Sequence, residues 1–148
     1  MTRSTASRSG FSIQEVSRRS GLSEPTLRYY EKIGLLGPVD RDESSGHRRY
    51  STASVEIVET LACLRSAGMS VEDMRRYLQL RSLGLAAAGE QRELFAAQAD
   101  RLSTEIGRLR LRLAYLQLKA ELWDARERGD GPAESVAVGE LLRVTAQF

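Results

Sequence analysis

The chain has a single histidine, His47, and a single cysteine, Cys63. One thiol allows no intramolecular disulfide, and a metal site with several Cys or His ligands cannot be built within one chain. A Cys–His or Ser–His–Asp catalytic group would have to use His47. That residue stands in the Arg-flanked segment Gly46-His47-Arg48-Arg49-Tyr50, with no context to orient it as a base. No catalytic residue, no metal site and no cofactor is predicted. The remaining chemistry is cationic, with arginine beside aromatic rings at Arg28-Tyr29-Tyr30 and again at Arg48-Arg49-Tyr50.

Charge is unevenly spread. Residues 1–50 hold nine Lys/Arg against six Asp/Glu, a balance of +3, and the remaining 98 hold thirteen against fourteen, or −1. A basic bias at this end is compatible with phosphate contacts, although solvated charge explains it nearly as well. Hydrophobic content of 41% with 28% charged residues marks a soluble globular chain rather than a disordered one. No apolar run approaches the ~20 residues that span a bilayer. Residues 1–10 read as a loose basic tail without the apolar core of a secretory signal. A cytoplasmic location and no membrane partner are expected.

The elements that position the cations follow from caps and breakers. Ser12-Ile13-Gln14-Glu15 has the form of a capping box, and Gly21 ends the short helix it opens. Ser23 caps a second helix with Pro25 in its first turn, running through Arg28 and Lys32 to a stop at Gly34. Two short helices around Ser20–Ser23 make a helix-turn-helix pattern. Leu35–Val39, a polar turn over residues 40–46 and His47–Tyr50 then read as two strands of a hairpin, or wing. Ser51 opens a helix to about Ala67, Ser70 opens another to about Ser82, and residues 83–89 read as a small-residue linker.

The strongest periodicity comes later. Phe95, Ala99, Leu102, Ile106, Leu109, Leu113, Leu116, Ala120 and Trp123 recur in alternating steps of four and three. That is the seam of a coiled coil on a long helix over residues 90–128. Nothing else in the chain is free to bury it, and a second copy is the simplest partner. A second stripe, Leu111, Tyr115, Leu118 and Leu122, lies roughly opposite in the later half and needs cover from something else. Residues 129–148 are expected as a short C-terminal tail, too small for a ligand domain of their own.

The segment Thr26-Leu27-Arg28-Tyr29-Tyr30-Glu31-Lys32-Ile33-Gly34-Leu35-Leu36, followed by Gly46-His47-Arg48-Arg49-Tyr50-Ser51, closely resembles the MerR family of bacterial regulators. The resemblance covers about residues 11–82, with the long helix matching by position and pattern. It implies a mainly α fold, with a winged helix-turn-helix head over 11–82 bearing a small two-stranded wing. A long coiled-coil helix then joins two chains antiparallel. It also implies binding to double-stranded promoter DNA at a palindromic operator, with distortion of the spacer so that RNA polymerase engages both elements. Ser12, Thr26, Arg28, Tyr29, Lys32, His47, Arg48 and Arg49 are the implied DNA-contacting residues. Of these, Thr26 and Arg28 suit base edges, while Tyr29, Arg48 and Arg49 suit phosphates. The family usually places Tyr where this chain has His47.

A narrower resemblance, through Leu61-Ala62-Cys63-Leu64-Arg65-Ser66-Ala67-Gly68-Met69-Ser70-Val71-Glu72, points to the NmlR/AdhR branch, regulators of aldehyde and nitrosative stress with a lone cysteine here. On a helical wheel Val55, Ile57, Val58, Leu61, Ala62 and Leu64 form one apolar arc, and Cys63 falls outside it beside Glu56, Glu59 and Thr60. An inert Cys belongs inside such an arc. Cys63 is therefore the candidate electrophile sensor. Two rivals stand beside this reading: a regulator that senses a small apolar ligand at the dimer junction, and a coiled-coil interaction module without DNA function.

Overall fold

The computed structural model describes residues 10–148. Apart from Gly10, the expected basic tail lies outside the described residues. The chain forms two compact units, one ending at Leu94 and the other spanning Phe95–Phe148.

Serine caps set the register of the first unit. In α1 (Ile13–Ser20) the Ser12 hydroxyl accepts from the Glu15 amide at 3.2 Å, and the Glu15 carboxylate accepts from the Ser12 amide at 2.9 Å. Gly21 closes this helix at φ 76°, a left-handed conformation that a β-carbon would strain. Ser23, Ser51 and Ser70 cap α2 (Glu24–Lys32), α3 (Thr52–Ser66) and α4 (Val71–Ser82) in the same manner, each accepting from the amide three residues on. Each of these caps typically contributes about 1 kcal/mol. The apolar faces meet in one core of Val16, Leu27, Tyr30, Leu36, Tyr50, Val58, Leu61 and Met74.

The wing is shorter than expected and starts later. Leu35 and Leu36 do not form a strand; both amides donate to the Tyr30 carbonyl, at 2.9 and 3.1 Å, and both side chains are buried. Gly34 (φ 74°) makes that reversal, and Pro38 lacks the amide a ladder needs. Pairing therefore begins at β1 (Asp40–Arg41), antiparallel to β2 (Arg48–Arg49), with Asp40 opposite Arg49 and Arg41 opposite Arg48. Phe11 and Tyr50 exchange amide–carbonyl bonds of 2.8 Å each, which ties the wing to the start of α1.

The small-residue linker over residues 83–89 is largely helical. A 3-10 turn over Gly84–Ala87 leads directly into α5 (Ala88–Arg128), a single helix of 41 residues. Its first turns belong to the head: Glu90 pairs with Arg76, the Gln91 amide donates to the Tyr77 carbonyl at 3.0 Å, and Leu94 packs on the core. All nine seam residues from Phe95 to Trp123 stand exposed on α5.

The last twenty residues, expected as a short C-terminal tail, carry a further helix. Asp130 caps α6 (Gly131–Thr145) by accepting from the Ala133 amide at 3.0 Å, and Arg126 of α5 pairs with Glu134 at 2.7 Å. Ala137 and Leu141, one turn apart on α6, are buried with Leu122 against Tyr115 and Leu118. The Phe148 ring stands edge-on to Tyr115 at 5.6 Å. The later part of the second stripe is thus covered by the chain's own C-terminal helix.

Candidate nucleic-acid interface

One concave face of the head is built from three elements. Ser12 and Gln14 come from α1, Glu24 and Arg28 from α2, and Arg41, His47, Arg48 and Arg49 from the wing. Five of the eight residues marked from the sequence as DNA-contacting meet here: Ser12, Arg28, His47, Arg48 and Arg49. Four guanidinium groups around one hollow make a ready counter-surface for a polyanion.

The wing that carries these cations is pinned at both ends. At its tip the Asp42 carboxylate accepts from the Ser44 amide and hydroxyl at 3.0 and 2.6 Å, and from the Ser45 amide and hydroxyl at 2.9 and 3.1 Å. The Ser44 hydroxyl, then the Ser45 amide, hold this carboxyl well below the usual carboxylate range. At its base Arg48 donates from Nε to Glu31 on α2 at 2.6 Å, in a pair whose side chains are only 21% and 20% exposed. The wing and the second helix are thereby locked to one another.

Tyr50 lies beneath this face. Its ring is fully buried and its hydroxyl is buried without a hydrogen-bond partner. Burial, and then the neighbouring Glu31, push its phenol above the ordinary value, while Arg48, Arg28 and Arg41 pull the other way. Tyr50 is a neutral support under the wing. Tyr30 is likewise buried.

The other three marked residues lie elsewhere. Thr26 stands two positions before Arg28, about 200° around a helix of 3.6 residues per turn, and cannot share its face. Its hydroxyl meets Ser23 at 2.8 Å and accepts from Arg65 Nη1 at 3.3 Å. Thr26 and Tyr29 line a second hollow with Pro25, Arg65, Met69 and Val71, where α2 meets the α3–α4 junction. Lys32 is exposed one turn beyond Arg28. Sequence reasoning missed Arg41 and Arg65. Arg41 was read as part of a polar turn, and Arg65 reaches Thr26 from 39 residues away, a contact that no local pattern announces.

The pattern of the MerR HTH family regulatory proteins matches residues 11–81. An HTH-type transcriptional regulator of Haemophilus influenzae is 32% identical over 109 residues, which cover 74% of this chain and 80% of that one. A MerR-family transcriptional regulator from Listeria monocytogenes superposes with a TM-score of 0.66 at 30% identity, over 90% of this chain and 98% of that one. The chain belongs to the MerR family.

MerR regulators are not enzymes, and this one is a DNA-binding regulator of that type. HiNmlR, a MerR-family regulator lacking the sensor domain and solved bound to promoter DNA, is similar at 30% identity with a TM-score of 0.61. That match covers 81% of this chain and 95% of HiNmlR. AdhR of Bacillus subtilis is 36% identical over 90 residues, 61% of this chain and just under two thirds, 64%, of AdhR. Among the described residues of this MerR protein, no cluster of three His, Cys, Asp or Glu side chains could hold a metal ion. Nor, among them, is any helix long and apolar enough to cross a membrane.

Cys63 is exposed on α3, outside the buried arc of Val55, Val58, Leu61 and Leu64. It lines a shallow hollow with Arg19, Ser20, Glu59, Ala62 and Ser66. Across that hollow Arg19 of α1 pairs with Glu59 of α3 at 3.1 Å.

The wing of this MerR head should respond to acid in a defined direction. Asp42 has a folded-state pKa below its unfolded value, so its contribution is complete above the ordinary carboxylate range and is lost as pH falls below it. Protection of the Ser44 and Ser45 amides, measured against the intrinsic exchange rate at each pH, should be high at neutral pH and fall selectively in strong acid. Asp42→Ala should show the low protection already at pH 7. Equal protection in the two proteins at pH 7 would mean that the carboxylate does not order the turn.

Proposed function

We propose that two copies of this chain bind a palindromic promoter operator and underwind the DNA between the half-sites, so that RNA polymerase engages both promoter elements. The observation that carries this reading is the cationic hollow in which Arg28 on α2 and Arg41, Arg48 and Arg49 on the wing converge. α2 enters the major groove, where Arg28 reads a base edge, while the wing arginines hold backbone phosphates alongside. Thr26 and Tyr29, with Arg65 behind Thr26, make a second backbone hold on the other side of α2. Holds on both sides of the recognition helix suit a protein that distorts DNA, because the elastic cost needs purchase on the backbone. Binding to a palindromic fragment from upstream of the chain's own gene should exceed binding to a scrambled fragment. It should also weaken steeply with salt, and it should change the linking number of a closed circle. Binding indifferent to sequence and salt would refute the reading.

Within this function Cys63 serves as the sensor of an electrophile. Its exposed thiol lies beside the Arg19–Glu59 pair that ties α1 to α3. Addition to an aldehyde forms a sulfur–carbon bond, opens the carbonyl, and leaves the thiol proton on its oxygen. Transfer of a nitroso group from a nitrosothiol forms a sulfur–nitrogen bond, and the proton passes to the departing thiolate. Either adduct crowds the ion pair and shifts α1 in the head. Cys63→Ser should keep operator affinity within about twofold and lose the change in transcription caused by formaldehyde or S-nitrosoglutathione. A variant that still responds fully would place the sensor elsewhere.

A further inference from the structure

One acid stands among the cations of the concave face. Glu24, the first residue of α2, is partly exposed and lines the hollow with Arg28, Arg41, His47, Arg48 and Arg49. By contrast, Glu15 completes the cap of α1, Glu31 holds Arg48 and Asp42 orders the wing tip. Among the described residues, neither Glu24 nor Arg28 makes a hydrogen bond or an ion pair, although their i,i+4 spacing suits one. An acid in the first turn of a helix favours the helix dipole wherever on that turn it stands. That role does not account for a carboxylate on a surface suited to a polyanion, where every phosphate repels it.

Its position on α2 says what this carboxylate can meet. Glu24 and Arg28 share one face, about 6 Å apart along the axis, the length of roughly two base steps. The N-terminal residues of a recognition helix are the ones that contact base edges. In the major groove guanine presents only acceptors, thymine an acceptor and a methyl group, and adenine a donor beside an acceptor. Cytosine alone presents a donor, its N4 amino group, with no acceptor beside it. A carboxylate, which only accepts, suits that base and conflicts with the other three.

We infer that Glu24 is a second base-reading residue, whose carboxylate accepts from the N4 amino group of a cytosine one or two base pairs from the guanine that Arg28 holds. The two side chains read complementary chemistry, Arg28 by donating and Glu24 by accepting. Glu24 acts as much against wrong sequences as for the right one. Where no cytosine faces it, its charge is left against acceptors and phosphates, and the complex is weakened. This inference rests on α2 entering the major groove, as proposed above.

Selection from a pool of random duplexes by the intact chain tests it. The wild-type chain should enrich a half-site with a cytosine and a guanine one or two pairs apart, and Arg28→Ala should lose the guanine alone. Glu24→Gln should exchange the cytosine for adenine, whose N6 and N7 suit an amide. A gained preference of this kind cannot come from a loosened fold. Glu24→Ala should lose the preference at that position only. On the selected operator, changing the cytosine pair should weaken the wild-type chain about tenfold per half-site, and Glu24→Ala by no more than about twofold. Glu24→Ala should also bind random DNA about threefold more tightly, with one repulsion removed. If both Glu24 variants enrich the wild-type half-site unchanged, Glu24 reads no base and the inference is overturned, with the role of Arg28 intact. If the wild-type chain enriches no sequence at all, reading through α2 itself fails and takes the role of Glu24 with it.

Discussion

Changing Leu109 and Leu113 together to glutamate is expected to leave the chain folded but monomeric. Both leucines stand exposed on α5, on the side away from the stripe that α6 covers. Their only cover is therefore a second chain. In the dimer the double change removes four leucines, and lost burial at about 1.5–3 kcal/mol each amounts to roughly 6 kcal/mol or more. That is about four powers of ten in the dimerisation constant. Four carboxylates brought into one apolar seam add repulsion. The head keeps its own core and caps, so the helical signal and the melting of the head should change little. Affinity for a palindromic operator should drop by about 100-fold or more, as two linked half-sites become independent. Sedimentation at micromolar concentration reads the first effect, and a gel shift reads the second. A variant that stayed dimeric would show that the seam has been misassigned.

The next largest effect concerns Arg28. Arg28→Ala should reduce the preference for operator over random DNA by about 1–3 kcal/mol per half-site, with little loss on random DNA. The residue is exposed on α2, and Ser12 from α1 and the wing arginines frame it on the same face. Arg48→Ala should behave differently, weakening binding to every sequence alike and lowering the salt slope by about one unit per head. It should also lower the melting temperature, because Glu31 loses the partner that holds it at 2.6 Å. Hydrogen bonds to charged groups contribute about 1.5–3 kcal/mol when partly buried. Glu31→Gln separates the two roles, since it loosens the wing without removing a cation. An Arg28→Ala protein that lost affinity equally for all sequences would end this division between reading and holding.

Much of the head was legible because its signals are local. A serine followed three residues later by a free amide is a cap whatever packs around it, so Ser12, Ser23, Ser51 and Ser70 stand where the helices begin. The exposure of Cys63 followed from the same logic, since a helical wheel needs only a helix and one apolar arc. The opposition of Thr26 and Arg28 was also open to that wheel, but both were read as base-facing.

What sequence alone determined is therefore what depends on neighbours within about four residues: caps, glycine stops, the α3 arc and the seam of α5. Tertiary structure decided the rest. The first wing strand moved to Asp40–Arg41 because the Tyr30 carbonyl captures the amides of Leu35 and Leu36, a competition between partners that strand propensity does not register. Arg65 was drawn to Thr26 and Arg48 to Glu31 by the packing of separate helices. The later part of the second stripe, with Tyr115, Leu118 and Leu122, needed cover from something other than the seam partner, and α6 supplies it. Ala137 and Leu141 pack there only because the corner at Asp130 returns them along α5. An apolar stripe states that it must be buried, and only the path of the chain in space states against what.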